Sequence, residues 1–322
     1  MKKILSAAVA VASVVAFAGC SAGDADPSDT TIVLGQWNAG TIATTSLTSR
    51  YLVENADLLA EHDIAIEYKE YTNLQALYTD LSRGRVDAVV GGPESFASSA
   101  VQGAPIRLAG SFARSNAAVL SQGAELTTDN LRGRRMVAPS TTGTWSNVRL
   151  QILDKTGLDA DKDYQVVNGD SSSTAIQQLA AGTADFAMGW GESLFEAKQR
   201  FPNVKIVADA DELANGKKPF IQFVVAVNGE RVDPAVSDRL MDAYAEQADW
   251  MLAHADQVNE RAVQGGRAPG VVKELLESGA INFDVKAFPG PEADELKATL
   301  QAMVDEGVIT EMPGDEFFGM EG

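Results

Sequence analysis

Two glutamates and one run of small hydroxyl residues are the groups in this chain whose types and spacing could do chemistry. Glu94 stands in "GGPES" and Glu192 in "GWGES", each just after a short apolar run. Paired carboxylates can hold a cation or run acid–base hydrolysis. The third group is "PSTTGT" at residues 139 to 144, where Ser140, Thr141, Thr142, Gly143 and Thr144 lead into a helical pattern. A strand that ends in such residues and opens a helix offers free backbone N–H groups and hydroxyls to an anion or polar group, although the same residue types also serve as ordinary N-caps. His/Cys metal chemistry finds no material. The histidines are His62, in an expected loop, and His254, in an expected helix, and Cys20 is the only cysteine. No catalytic residue, metal or cofactor is therefore expected. The Walker lysine and the dinucleotide glycine spacing are both missing.

The elements that must position these groups follow an α/β plan. "TIVLGQW" reads as a strand, Thr44 to Leu59 as a helix, "IAIEYKEY" as a strand, and Asn73 as the cap of "LQALYTDLSRG". "VDAVVGG" is a short apolar strand, followed by a helix from Glu94 to Val101 and strands near Ile106 to Phe112 and Ala117 to Ser121. The plan then repeats. "RRMVA" precedes the hydroxyl turn, whose helix puts Trp145, Val148 and Ile152 on one face; "YQVVN" follows, Ser173 or Thr174 caps "AIQQLAAG", and "ADFAMGW" is the next strand. "GRVDAVVGGPE" and "GTADFAMGWGE" carry Gly, Asp, Gly and Glu at the same offsets, with Asp87 and Asp185 each seven residues before a glutamate. If the segments are equivalent, both glutamates stand beyond the carboxyl ends of strands, where open α/β sheets bind ligands. "KKPFIQFVVAV" is a further strand, and from Pro234 onward the pattern is helical.

At 322 residues with 45% hydrophobic content the chain can bury a large core, and its length suits two domains. A net charge of −19 argues against nucleic acid as a partner. Lys2 and Lys3 precede an apolar stretch from Ile4 to Ala18 that is short for a membrane span and reads as an export signal. It ends in "FAGC", which resembles a bacterial lipoprotein box with Cys20 as the lipidated residue. The polar stretch at 20–30 then reads as a tether.

The ordered set "LRGRRMVAPSTTGT", "GLDADKDYQVVN", "AIQQLAAGTADFAMGW" and "GRVDAVVGGPESFASSAVQGAPI" resembles the solute-binding proteins of ABC importers, in the branch serving nitrate, taurine, alkanesulfonates and thiamine pyrimidine precursors. The resemblance covers about 31 to 227 well and the helical tail loosely. It implies an α/β, two-lobe periplasmic-binding-protein-like fold of type II, with a ligand cleft between the lobes and a helical C-terminal tail. Lobe one is expected from 31–118 plus 225–322 and lobe two from 119–224, with hinge segments near Phe112 to Ser121 and Pro219 to Asn228. The implied cleft residues are Trp37, Asn38, Gly40 and Thr41; Gly92, Pro93, Glu94 and Ser95; Ser140 to Trp145; and Trp190, Gly191 and Glu192. Trp37, Trp145 and Trp190 would form an aromatic box for a flat ring or an ammonium, whereas Trp250 is expected to pack in the tail. The partners implied are a small-molecule solute and a membrane permease. The chain is expected to be a monomer, exported and lipid-anchored to the bacterial membrane facing outward or the periplasm. An aminosulfonate of the taurine type is the expected solute, with an aminopyrimidine as the alternative. Nitrate and a pyrimidine-forming enzyme fit less well, the first because two glutamates repel a small anion unless a basic residue intervenes.

Overall fold

The computed structural model describes residues 30–37, 44–139 and 143–320. Asn38, Gly40, Thr41, Ser140, Thr141, Thr142 and the export, Cys20 and tether segments lie outside the described residues. Among the described residues no helix is long and apolar enough to cross a membrane.

The first sheet grows from β1 (Thr30–Trp37), β2 (Ile64–Tyr71), β3 (Ala88–Gly91) and β4 (Ile106–Arg114). The helices α1 (Thr44–Glu54), α2 (Ala56–Glu61), α3 (Leu74–Ser82) and α4 (Pro93–Val101) fall between these strands. The expected helix from Thr44 to Leu59 is interrupted by Asn55, whose side chain accepts the Leu58 N–H and starts α2 as a new helix. Asn73 caps α3 as expected, accepting from Ala76 N at 2.8 Å.

The chain then crosses to a second sheet. There β5 (Ala118–Ser121), β6 (Arg135–Ala138), β7 (Gln165–Asn168), β8 (Phe186–Gly189) and β9 (Lys205–Ala208) alternate with α5 (Thr128–Leu131), α6 (Thr144–Thr156), α7 (Ser172–Ala180), α8 (Glu192–Arg200) and α9 (Ala210–Ala214). The cap of α7 is Ser171, accepting from Thr174 N, rather than Ser173 or Thr174. The chain returns through β10 (Ile221–Asn228) and continues as α10 (Pro234–Ala253), α11 (Ala255–Gln264), α12 (Val271–Glu277), β11 (Phe283–Ala287) and α13 (Pro291–Asp305), with a short 3-10 turn at Asp315–Phe318. The strand β11 corrects the all-helical reading of the tail. Its "FDVKA" pairs antiparallel with the edge strand β4.

Strand order is β11-β4-β10-β3-β1-β2 in the first sheet and β7-β6-β8-β5-β9 in the second. The two orders follow one rule. In each, the first two strand–helix units lie parallel, and the strand arriving from the other lobe runs antiparallel in the fourth place, as β10 does beside β3 and β5 beside β8. Both β3 and β8 are buried along their whole length, as strands covered by helices on both faces must be. The architecture is thus α/β with two sheets, the two-lobe organisation expected from the resemblance. Sheet membership changes between Arg114 and Ala118 and again before Ile221. The second crossover therefore comes a few residues earlier than a lobe limit at 224 would put it.

Two apolar clusters cover the faces of the first sheet, one around Tyr244, Phe112 and Leu34 and the other around Phe96, Phe317 and Leu108. In the second sheet, one face buries Trp145, Phe186 and Leu131. The other buries Leu120, Ile176 and Phe195 together with Val258, Val272 and Leu275 from α11 and α12. These two tail helices therefore pack against the second sheet's layer rather than belonging to lobe one alone. Trp250 packs in the tail as expected, tilted against Tyr51 and stacked on His254.

Candidate functional site

The site is built from equivalent corners of the two sheets. At the foot of β3, Asp87 accepts the Val33 N–H at 2.8 Å and its own N–H donates to Val33 O. At the foot of β8, Asp185 accepts the Arg135 N–H at 3.0 Å and its N–H donates to Arg135 O. The matched aspartates thus perform one job, tying the third strand to the first strand of its own sheet. Seven residues on, Glu94 and Glu192 each occupy the first turn of a helix, α4 and α8.

Glu94 is packed within protein. A β-carbon placed on Gly92 would lie 2.5 Å from Glu94 Oε1, so the carboxylate folds back over the helix start into space that a larger residue at 92 would make it leave. The same oxygen would lie 3.0 Å from a β-carbon on Gly143, which places this lobe-one carboxylate against the N-terminus of α6 in lobe two. Burial pushes the Glu94 carboxyl up to about 7, opposed by a hydrogen bond from its own backbone N–H. Among the described residues no cation pairs with it. Tyr78 lies beside it, bonded to Ser95; burial pushes its phenol up, and the Glu94 charge adds to that. Pro93 fills the first position of α4 and is buried.

Gly143 and Gly191 cap α6 and α8 with nearly the same backbone, φ 67° and ψ −131° in one and φ 59° and ψ −143° in the other, a conformation open to glycine and strained for side-chain-bearing residues. The corner at α8 is otherwise unlike that at α4. Glu192 faces Arg267, from the connection between α11 and α12, at 3.8 Å, and the same guanidinium lies 3.9 Å from Glu196. Both Glu192 and Arg267 are largely buried. The N–H groups of Trp190 and Gly191 are taken by Ser172 Oγ at 2.9 Å and Asn116 Oδ1 at 3.2 Å.

The three indoles differ in depth: Trp145 lies inside the lobe-two core, Trp190 packs at the margin of that same core, and Trp37 is the most exposed. Trp37, at the end of β1, is 39% exposed. Trp145 is 4% exposed and packs in the lobe-two core. The stripe of Trp145, Val148 and Ile152 that marked the helix is the stripe that faces this core. Trp190 alone of the three lines an interlobe cavity of about 70 Å³, with Phe112, Asn116, Glu192, Gln222 and Phe283 around it.

Sequence reasoning missed two residues here. Arg267 stands alone between glycine and proline turns in "GGRAPG", a cation in a loop built for a fixed path, and that is the signal it offered. Gln222, inside an apolar strand pattern, is 4% exposed and donates from Nε2 to Thr144 Oγ1 at 3.1 Å. A polar residue inside a buried strand was the available signal. A wider groove of about 610 Å³ runs between α6, α9 and α13, away from both glutamates. Among the described residues no group of three or more His, Cys, Asp or Glu could hold a metal ion.

This geometry, with two lobes, helix N-termini at the carboxyl ends of strands and a cavity at the crossovers, suits capture of a small polar solute. Solved structures share the fold. The periplasmic aliphatic sulphonate binding protein SsuA from Escherichia coli superimposes with a TM-score of 0.72 at 15% identity, covering 88% of this chain and 89% of that one. An ABC transporter protein from Parabacteroides distasonis gives 0.71 at 16%, covering 91% and 100%. The alkanesulfonate-binding protein SsuA from Xanthomonas axonopodis pv. citri, bound to MOPS, gives 0.68 at 18%, covering 92% and 98%. No curated protein matches the chain. A family model described as the phosphonate periplasmic substrate-binding protein of ABC transporters matches residues 41–250. The chain belongs to that family and is a periplasmic substrate-binding component of an ABC importer, a transport protein and not an enzyme.

Proposed function

We propose that the protein captures a small zwitterion, an aminosulfonate of the taurine type, and delivers it to a membrane permease. The observation that carries this reading is Glu94: a half-buried residue whose carboxylate is desolvated, has no cation partner among the described residues and is held against the N-terminus of α6. An ammonium beside Glu94 would supply the missing charge, while the solute's sulfonate would take the helix N-terminus and the hydroxyls of residues 140–144. Glu192, already facing Arg267, is not needed as a second amine receptor. Sulfonate-binding proteins among the structural relatives accord with the anionic half.

An aminopyrimidine is the second reading, favoured by Trp190 and Gln222 on one cavity, where a ring could stack and an amino group donate. In either case the monomer is lipidated at Cys20, and the two lobes close about the crossovers at 114–118 and just before Ile221. Mass spectrometry of the mature N-terminus tests the anchor, and a chain beginning elsewhere than at a lipidated Cys20 rejects it.

Calorimetry of the wild type and Glu94→Gln with taurine, ethanesulfonate, 2-aminoethylphosphonate, nitrate and an aminopyrimidine tests the ligand. Taurine should bind about 10- to 150-fold more weakly to the variant, and ethanesulfonate should be unaffected or improved. Equal affinities for taurine and ethanesulfonate, unchanged by the substitution, would sink the reading.

A further inference from the structure

Gln222 sits at the start of β10, where the chain returns from the second sheet to the first. Its amide group is divided between two surroundings. Nε2 donates to Thr144 Oγ1, on the first residue of α6, and so joins the returning crossover strand to the helix start that faces Glu94. Oε1 is buried and has no hydrogen-bond partner among the described residues. The residue lines the interlobe cavity, in company with Trp190 and Asn116. A buried amide oxygen with nothing donating to it is costly, and native proteins rarely leave one so without a use.

We propose that Gln222 is a selectivity residue of the cleft, whose Oε1 accepts a hydrogen bond from an N–H or O–H of the bound solute. The idea rests on the solute-binding reading but concerns a different property of the ligand. Glu94 selects positive charge; Gln222 selects a hydrogen-bond donor, whatever its charge. Thr144 makes the selection geometric. It occupies the amide nitrogen, so the oxygen is the amide atom left to accept, and a solute without a donor leaves that oxygen unpaired when the lobes meet. Plain alkanesulfonates of matching length would then be rejected by the missing hydrogen bond rather than by shape.

The test uses three sulfonates of nearly equal size. Ethanesulfonate carries no hydrogen-bond donor, 2-hydroxyethanesulfonate adds a neutral donor, and taurine adds a charged one. Titration calorimetry of the full mature protein should show 2-hydroxyethanesulfonate binding about ten-fold more tightly than ethanesulfonate. In Gln222→Met, of similar length and with no amide, that ratio should fall to about one. Gln222→Glu keeps an acceptor, which the Thr144 hydroxyl can still approach as a donor, and should preserve the preference. Thermal melts of both variants report whether the fold survives, and Gln222→Glu carries the test if Gln222→Met does not fold.

The ratio of taurine to 2-hydroxyethanesulfonate reads Glu94 instead, so failure of the charge reading leaves the donor ratio measurable. Equal binding of 2-hydroxyethanesulfonate and ethanesulfonate by the wild type overturns the proposal. So does a ratio that stays near ten in a folded Gln222→Met, or one that falls to about one in a folded Gln222→Glu, whose acceptor remains while its charge weakens both sulfonates alike.

Discussion

The α4 corner of the first sheet and the α8 corner of the second share a sequence pattern, a strand position and a helix-start carboxylate, yet they are in opposite electrostatic states. Glu94 is half-buried with no cation beside it among the described residues, and Glu192 faces a largely buried arginine. The difference does not originate in the corners. It comes from the tail, which lays α11 and α12 on the second sheet's layer and so carries Arg267 to α8, with no equivalent cation delivered to α4 among the described residues. A repeat can conserve where a carboxylate stands while a third element decides what it does.

The aspartates at the feet of the two corners give the largest contrast. Asp87 has a side chain only 5% exposed and holds both the Val33 N–H and the Arg231 guanidinium, the latter at 2.5 Å. Asp185 does the matching work at 41% exposure, where water can replace it. Asp87→Ala should lower unfolding free energy by about 2 to 3 kcal/mol, through a strand N–H left without its acceptor. Asp185→Ala should cost less than about 1 kcal/mol. Urea melts of the two variants measure this, and equal losses would mean that the corners are held alike.

The next contrast is in pH. Glu94 binds its proton more tightly folded than unfolded, with the folded carboxyl near 7 against an ordinary glutamate value of 4.5. Its penalty is therefore absent below about 4.5, grows as the pH rises toward 7, and is fully present above that. Removing it by Glu94→Gln should stabilise the protein on the order of 2 kcal/mol at pH 8 and scarcely at all at pH 4.5. In the wild type the affinity for taurine should fall as the pH drops below 7, by up to ten-fold per unit, because binding an ammonium requires the proton to leave. Calorimetry at pH 5.5, 6.5 and 7.5 in buffers of different ionisation heat would register that proton. Binding that releases none across this range would disconnect Glu94 from the solute's amine.

Much of this arrangement was legible in the sequence. Alternating strand and helix signals, and the Gly–Asp–Gly–Glu offsets at 84–94 and 182–192, carry the two-sheet plan, because backbone periodicity and turn residues act locally. The capping role of Asn73 is local too. What was not legible depends on which distant elements meet. β11 is a five-residue strand between helices, and it exists because β4 offers an edge. Trp145 falls at a helix start in sequence, yet the phase it shares with Val148 and Ile152 turns it into the core. Arg267 reaches Glu192 across 75 positions, and no spacing rule encodes such a pair.

The smallest effect is expected at Glu192, and it sharpens the comparison most. If Glu192 were a second amine receptor, Glu192→Gln would weaken taurine binding as much as Glu94→Gln does. Arg267 changes that expectation. Its guanidinium lies between Glu192 and Glu196, so the local charge near an incoming ammonium is already offset, and deleting one acid moves the balance only slightly. Glu192→Gln should therefore change taurine affinity by less than about three-fold, under 0.7 kcal/mol. The double-mutant cycle with Arg267→Gln then separates position from compensation. With the arginine gone, Glu192 stands nearer the state of Glu94, and its removal should now weaken taurine binding several-fold. If Glu192→Gln is silent in both backgrounds, the α8 carboxylate serves only its own helix and the tail. If it is as damaging as Glu94→Gln with Arg267 in place, the two corners act together on the amine, and the asymmetry between them does not govern binding.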